Sequence, residues 1–301
     1  MSSFTPPINP PARLSVSALR QFNECGHLFK LARIDKVPED RQAHHMWAGS
    51  VVHNAFMLAY GKPYQKPGEK RTCWEVDNAG DLQDALDLFD MLWDGEMKVT
   101  GLEDDLGFSR AQAAFEVLKS DPQLAPVPAN KFAYGRLKAL KAPNHEERRA
   151  AHKEYFKTML EHSLRMGLAY PVVALEQEVK YELGGVPMLG YIDIVLKDEH
   201  GQLIYVDLKT GSTCPSDKDL AFDDQMNAYY TCEIEDQLPS EVWYHHMKSG
   251  TIMVTPKNLP MIEAMHETAP KVMQQIQEGR FVKNISKDCA SCSRRLACMG
   301  V

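Results

Sequence analysis

Three short runs between Pro171 and Gly211 restrict this chain more than any other feature. Val172–Leu183, Val186–Lys197 and Leu203–Lys209 are rich in Val, Ile, Leu and Tyr, and Gly184-Gly185 and Glu199-His200-Gly201 separate them. That pattern predicts three strands joined by tight turns. The second and third carry charges where a strand should be apolar: Asp193 in Gly190-Tyr191-Ile192-Asp193, and Asp207 and Lys209 in Val206-Asp207-Leu208-Lys209-Thr210-Gly211. Residues two apart on a strand share a face, so Asp207 and Lys209 project together while Leu208 turns to the core. Asp193, on the neighbouring antiparallel strand, comes close to both.

Two carboxylates and an ammonium brought together at buried positions are costly, because like charges repel and burial disfavours ionised groups. A hard divalent cation such as Mg²⁺ or Mn²⁺ relieves this, since it prefers carboxylate and water ligands. The chemistry that follows is attack on a phosphoryl group: a metal polarises its oxygen, and Lys209 orients the attacking water or offsets the charge that builds up. A D-x-K tripeptide alone is equally a strand-end ion pair, and it is Asp193 at this spacing that makes the set informative.

The rest of the chain arranges itself around these strands. Ser15 and Ser17 are candidate N-caps for a helix through Leu19, Phe22 and Leu28, and a second helix is expected over Ala48–Tyr60, carrying His53. From Gly61 to about Tyr170 the pattern is helical, interrupted by prolines and without strand-like alternation. In Asp81–Asp94 the residues Leu82, Leu86, Phe89 and Trp93 form an apolar stripe opposite a row of aspartates, best read as a solvated face. After the strands come a helix at about Asp223–Glu233 with Gln225 and Tyr229 on one face, a hairpin from Glu241–Met247 to Thr251–Thr255, and a helix at Met261–Glu278. The order predicts an α/β core with a helical insertion between its first helix and first strand. It divides into a flexible tail at 1–12, a core at 13–60 and 171–282, a helical insertion at 61–170, and a terminal cysteine segment at 283–301.

Net charge is −7 over 301 residues, which at first argues against a polyanionic partner. The charge is uneven: Cys73–Asp105 holds eleven acidic residues and one lysine, leaving about +3 on the remainder. Lys131–Lys157 holds eight Lys or Arg against three Glu. Binding responds to local patches, so charge neither supports nor excludes nucleic acid. No apolar run approaches a membrane span, the proline-rich Met1–Leu14 is not a secretory signal, and a cytoplasmic location is the expectation. A dinucleotide fingerprint and a Walker A motif are both missing, which leaves redox and helicase readings without support.

Taken in order, Gly49-x-x-x-His53, Gly190-x-x-Asp193, Asp207-x-Lys209-Thr210-Gly211 and Gln225-x-x-x-Tyr229 resemble the RecB-like branch of the PD-(D/E)xK nucleases. That branch includes the nuclease domains of RecB and AddB, CRISPR-associated RecB-like exonucleases and many phage exonucleases. The likeness runs from Leu14 to Cys298, apart from Gly61 to about Tyr170. It implies a restriction-endonuclease-like core with a central mixed sheet flanked by helices, metal binding by His53, Asp193 and Asp207, catalysis by Lys209, and a supporting, DNA-contacting role for Gln225 and Tyr229. Many members have Glu where this chain has Asp207, and both chelate metal. A further acidic residue of the family corresponds to Glu176 or Glu178.

Cysteine placement adds a second site. Cys289-Ala-Ser-Cys292 followed by Cys298 clusters three thiols near the C-terminus, and soft thiolates suit an iron–sulfur cluster or zinc. Spacing alone does not separate the two. The resemblance favours a [4Fe–4S] cluster, with Cys25 as the fourth ligand tying together distant parts of the chain. Cys73, Cys214 and Cys232 are expected to be packed apolar residues. The leading expectation is a metal-dependent DNA exonuclease acting on single strands or ends. Its expected partners are DNA and a helicase, recombination or CRISPR adaptation protein. The alternative is a non-catalytic DNA-binding or scaffold subunit, whose mark would be a broken constellation.

Overall fold

The computed structural model describes residues 10–39, 44–67, 71–77, 82–99, 145–211, 213–286, 288–289 and 292–299. The expected tail therefore lies largely outside the described residues, as do positions 100–144 of the expected insertion.

A five-stranded mixed sheet forms the centre, its strands lying side by side in chain order. Strands β3 (Val172–Leu183), β4 (Val186–Lys197) and β5 (Leu203–Lys209) form an antiparallel meander. Between β3 and β4 lies a two-residue turn, with Gly184 and Gly185 at φ 57° and 79°. Both angles are left-handed, where glycine is at ease and a Cβ is not. Strand β6 (Glu241–His246) runs parallel to β5, and β7 (Thr251–Val254) returns antiparallel to β6. A parallel neighbour requires a crossover. Here it carries α6 (Asp217–Ala221) and α7 (Asp224–Tyr229).

Helices close both faces. Ser15 caps α1 (Val16–Glu24) by accepting a hydrogen bond from the Ala18 N–H. The expected continuous helix through Leu28 breaks at Cys25, whose backbone is extended (φ −160°, ψ 101°), and resumes as α2 (Gly26–Phe29) and a π-helical turn at Lys30–Ile34. Helix α8 (Leu259–Gln277), capped by Asn258, packs with α1, α2 and the β3–β4 turn around Phe22, Phe29, Leu183, Met188 and Val272. On the other face, α3 (His44–Leu58), α4 (Leu82–Val99) and α5 (His145–Met166) bury Phe56, Trp93, Met159 and Leu160 against Ile204, Val206 and Leu208. Leu203 and Tyr205 face the opposite cluster, with Met226 and Tyr229. Alternation along β5 thus sends Val206 and Leu208 toward α3, and Asp207 and Lys209 toward α7.

The segment read from sequence as wholly helical contains a hairpin. Strand β1 (Gly61–Tyr64) pairs with β2 (Cys73–Val76), and Trp74 is buried in the same core as α3. Each strand has four residues and one carries Pro63, too short for an alternating pattern to stand out. The aspartate row of α4 is also more than a solvated face. Lys153 of α5 sits 3.0 Å from Asp90 and 2.9 Å from Asp94, and Lys157 also pairs with Asp90. These pairs line the contact between the two helices.

Candidate metal and phosphodiester site

The site is a row across three strands. Leu175 faces Ile194 and Gln177 faces Ile192, so Glu176 on β3 lies opposite Asp193 on β4. Pairing between β4 and β5 runs from Lys197↔Leu203 to Ile194↔Val206. The next step would oppose Asp193 and Asp207, and there the ladder gives way to a side-chain bond. Asp193 Oδ2 accepts from the Leu208 N–H at 2.7 Å. The sides of the strand change here too. Ile192 and Ile194, two apart, lie in different core clusters. Opposite this switch, Glu176 has φ 49°, a left-handed conformation that costs a non-glycine residue about 1–2 kcal/mol. Strain of this kind gathers at functional sites because it re-aims a side chain.

Side chains from the helices complete the row. His53 on α3 places Nε2 3.1 Å from Asp193 Oδ2 and Nδ1 3.2 Å from Glu176 Oε1. Lys209 Nζ lies 2.6 Å from Asp207 Oδ2 and donates to Gln225 Oε1 at 3.1 Å. Gln225 Nε2 donates to Asp207 Oδ1 at 2.9 Å and to the Tyr229 hydroxyl at 2.8 Å. That hydroxyl lies within donating distance of Asp207 Oδ1 (3.1 Å) and of the Tyr191 carbonyl (2.9 Å). Its single proton serves one of them at a time.

Electrostatics follow from burial. Asp207 is 1% exposed, and burial pushes its carboxyl up to about 6 despite the adjacent Lys209. Burial would raise Asp193 as well, but His53, Lys209 and the Leu208 N–H outweigh it and hold that carboxyl below its ordinary value. Burial alone depresses the His53 imidazolium, yet the Asp193 charge and hydrogen bond raise it overall. Lys209 is raised in the same way, by Asp207 and Asp193 acting against burial.

Two observations test whether this set fits a divalent cation. Donor atoms of His53, Glu176 and Asp193 all lie within 4.8 Å of one another, a hard-donor group suited to such an ion. Among the described residues, Asp207 Oδ2 is buried with no hydrogen-bond partner of good geometry, its contact with Lys209 being a charge contact. The residues fit. The sequence expectation had named His53, Asp193 and Asp207 as the ligand set. Here Glu176 joins His53 and Asp193, while Asp207 stands next to them, held by Lys209, Gln225 and Tyr229. Of the two candidate glutamates, Glu178 instead accepts from the Tyr191 hydroxyl at 3.0 Å and pairs with Lys180.

The four cysteines expected to form one cluster do not gather. Among the described residues, no three of Cys25, Cys289, Cys292 and Cys298 bring their sulfurs within 4.8 Å of one another, and all four are free thiols. The segment itself does lie beside Cys25: His27 N–H donates to the Val282 carbonyl at 3.1 Å, and Asn284 Nδ2 to the Glu24 carbonyl at 2.9 Å. Cys25, Val282, Lys283 and Asn284 line one cavity there. Of the remaining cysteines, Cys232 is fully buried, its thiol pushed up to about 12, whereas Cys73 and Cys214 are half-buried.

A mixed sheet flanked by helices, with carboxylates, a lysine and a histidine meeting at its centre, defines an α/β fold of the metal-dependent nuclease type. The chain matches the family model of the PD-(D/E)XK nuclease superfamily over residues 13–299 and belongs to that superfamily, whose members use divalent metals. No curated protein matches it.

Proposed function

We propose that this protein is a DNA exonuclease acting on single strands or ends, using Mg²⁺ or Mn²⁺. His53, Glu176 and Asp193 would hold the ion, and Asp193, Asp207 and Lys209 would carry catalysis. The observation that carries this reading is the row from Glu176 through Asp193 to Asp207 and Lys209, with each expected position filled by a competent group. When bound, the ion supplies polarisation of a phosphoryl oxygen and an acidified water. The chain's own residues do the rest. Lys209 Nζ holds its proton beside Asp207 and offsets negative charge that develops on the phosphate. Gln225 bridges Lys209 and Asp207 through the two ends of one amide, which sets both in a single orientation. Tyr229 supports that amide from beneath.

The same reading assigns a [4Fe–4S] cluster to Cys25, Cys289, Cys292 and Cys298, with a structural role. It is supported by the terminal segment lying against the Cys25 break. Protein purified without oxygen is then brown and absorbs near ~400 nm. A colourless protein free of iron would remove the cluster and leave the nuclease site untouched. A cytoplasmic setting with a helicase, recombination or CRISPR adaptation partner belongs to the same proposal.

The decisive assay uses end-labelled single- and double-stranded DNA with Mg²⁺ or Mn²⁺. Expected is degradation from ends that disappears in Asp193→Ala and Lys209→Ala while both variants remain folded. Folded wild-type protein that leaves every DNA form intact with either metal overturns the reading.

A further inference from the structure

The β1–β2 hairpin delivers a cation to the edge of the site. Its base is tied down by the Asp77 N–H, which donates to the Tyr60 carbonyl at 3.0 Å, and by buried Trp74. Gly61 sits so close to β3 that a Cβ there would meet Leu175 Cδ1 at 2.5 Å and the Glu75 carbonyl at 2.6 Å. This tight seat brings Arg71, at the far end of the hairpin, to the Glu176 carboxylate. Arg71 Nη2 pairs with Glu176 Oε2, while Oε1 of the same carboxylate faces His53. The guanidinium carbon lies 3.8 Å from the centre of the Tyr191 ring, so one face is stacked.

These contacts leave much of the guanidinium uncommitted. Arg71 is 47% exposed, whereas Glu176 is 9% exposed. Among the described residues, its side chain has no polar partner beyond Glu176. A guanidinium carries five N–H donors in a planar fork that matches a phosphate. The need for such a group is plain: Glu176, Asp193 and Asp207 put three carboxylates in one row, which repels a polyanion. Lys209 stands at the β5 end of that row, and Arg71 stands at the β3 end.

We propose that Arg71 is a substrate-binding residue that contacts a backbone phosphate of the nucleic acid at the β3 edge of the site. The proposal rests on the nuclease reading for its substrate class. Glu176 and Tyr191 hold the guanidinium in place, and its outward donors meet the phosphate. Contact with phosphate is independent of base sequence and weakens with salt through counterion release.

The test compares wild type, Arg71→Gln and Arg71→Lys for binding a fluorescein-labelled single-stranded oligonucleotide, with Ca²⁺ replacing Mg²⁺, across a salt series. Binding of Mn²⁺ alone is measured in parallel, and thermal unfolding checks the fold. Expected for Arg71→Gln is about tenfold weaker DNA binding at low salt. The slope of log affinity against log salt should also become shallower by about 0.7. Arg71→Lys should recover the slope, and Mn²⁺ affinity should not fall. Unchanged DNA affinity and slope in a folded Arg71→Gln protein overturn the proposal, and weaker Mn²⁺ binding alongside them reduces Arg71 to a support for Glu176. Should Arg71→Gln unfold, Arg71→Met takes its place and is judged by the same two outcomes, a shallower slope sustaining the proposal and a wild-type slope with unchanged affinity ending it. If wild type binds DNA without cutting it, the nuclease reading fails by itself and the salt slopes still judge Arg71.

Discussion

The Asp193 carboxylate accepts a hydrogen bond from the Leu208 backbone N–H at the step where β4 and β5 stop pairing. A side chain thus replaces a strand carbonyl at the point where donor atoms of His53, Glu176 and Asp193 converge. The bond fixes β5 just before Lys209, coupling the local fold to the chemistry.

Removing that acceptor separates the two roles. Asp193→Asn keeps an oxygen for the Leu208 N–H and loses the charge; Asp193→Ala loses both. Both variants should lose Mn²⁺ binding in calorimetry. In urea unfolding without metal, the alanine variant should be less stable than the asparagine variant by about 1–2 kcal/mol, the cost of a buried unpaired N–H. Equal stability would show that this hydrogen bond contributes nothing to the fold.

Tyr229→Phe removes the hydroxyl that accepts from Gln225 and faces Asp207 Oδ1 and the Tyr191 carbonyl. The expected loss is about 1–2 kcal/mol of stability. Turnover should fall with little change in DNA affinity, since the hydroxyl orients groups already inside the site. Steady-state kinetics with DNA binding measured separately would expose the opposite pattern.

Gly49 lies one turn before His53, and a Cβ at Gly49 would sit 2.8 Å from Thr210 Oγ1. Gly49→Ala should therefore push α3 from the end of β5 and cost about 1–3 kcal/mol. The Thr210 Cβ is at an ordinary 3.9 Å, so adding Thr210→Ala should restore much of the loss. A double variant no better than Gly49→Ala in thermal unfolding would refute this steric account.

His245 gives the fold an acid-sensitive point. It is fully buried, Ser163 Oγ lies 3.0 Å from its Nε2, its Nδ1 has no hydrogen-bond partner among the described residues, and burial pushes its pKa down to about 4. A group whose folded pKa is depressed in this way stays neutral when folded and takes up a proton on unfolding. Its contribution is therefore lost as pH falls below about 6.5, by about 2 kcal/mol at pH 5. Urea unfolding at pH 7 and pH 5 should show a smaller drop in His245→Gln than in wild type. Parallel drops in the two proteins would rule out His245 as the cause.

The central strands, their two turns and the pairing of Asp207 with Lys209 were readable from sequence because they obey local rules. Alternation puts residues two apart on one face, and glycine marks the left-handed turns. Gln225 and Tyr229 were readable for the same reason, being one helical turn apart. The choice of Glu176 over Glu178 was not, since regular alternation gives both the same side. A left-handed residue and a change of face at Asp193 decide between them, and neither leaves a mark in the local pattern. The hairpin carrying Arg71 was missed because four-residue strands hold too few positions to show a period.

What the sequence determined by itself is the set of chemical groups and their positions along each element: carboxylates and a lysine on apolar strands, a histidine on a helix, cysteines near the two ends. Only the tertiary structure decided which groups meet. It joined Arg71 to Glu176, 105 positions apart, and gathered His53, Glu176 and Asp193 into one donor group. Such meetings depend on how helices and hairpins seat against the sheet, which is set by packing between distant residues and not by neighbours along the chain.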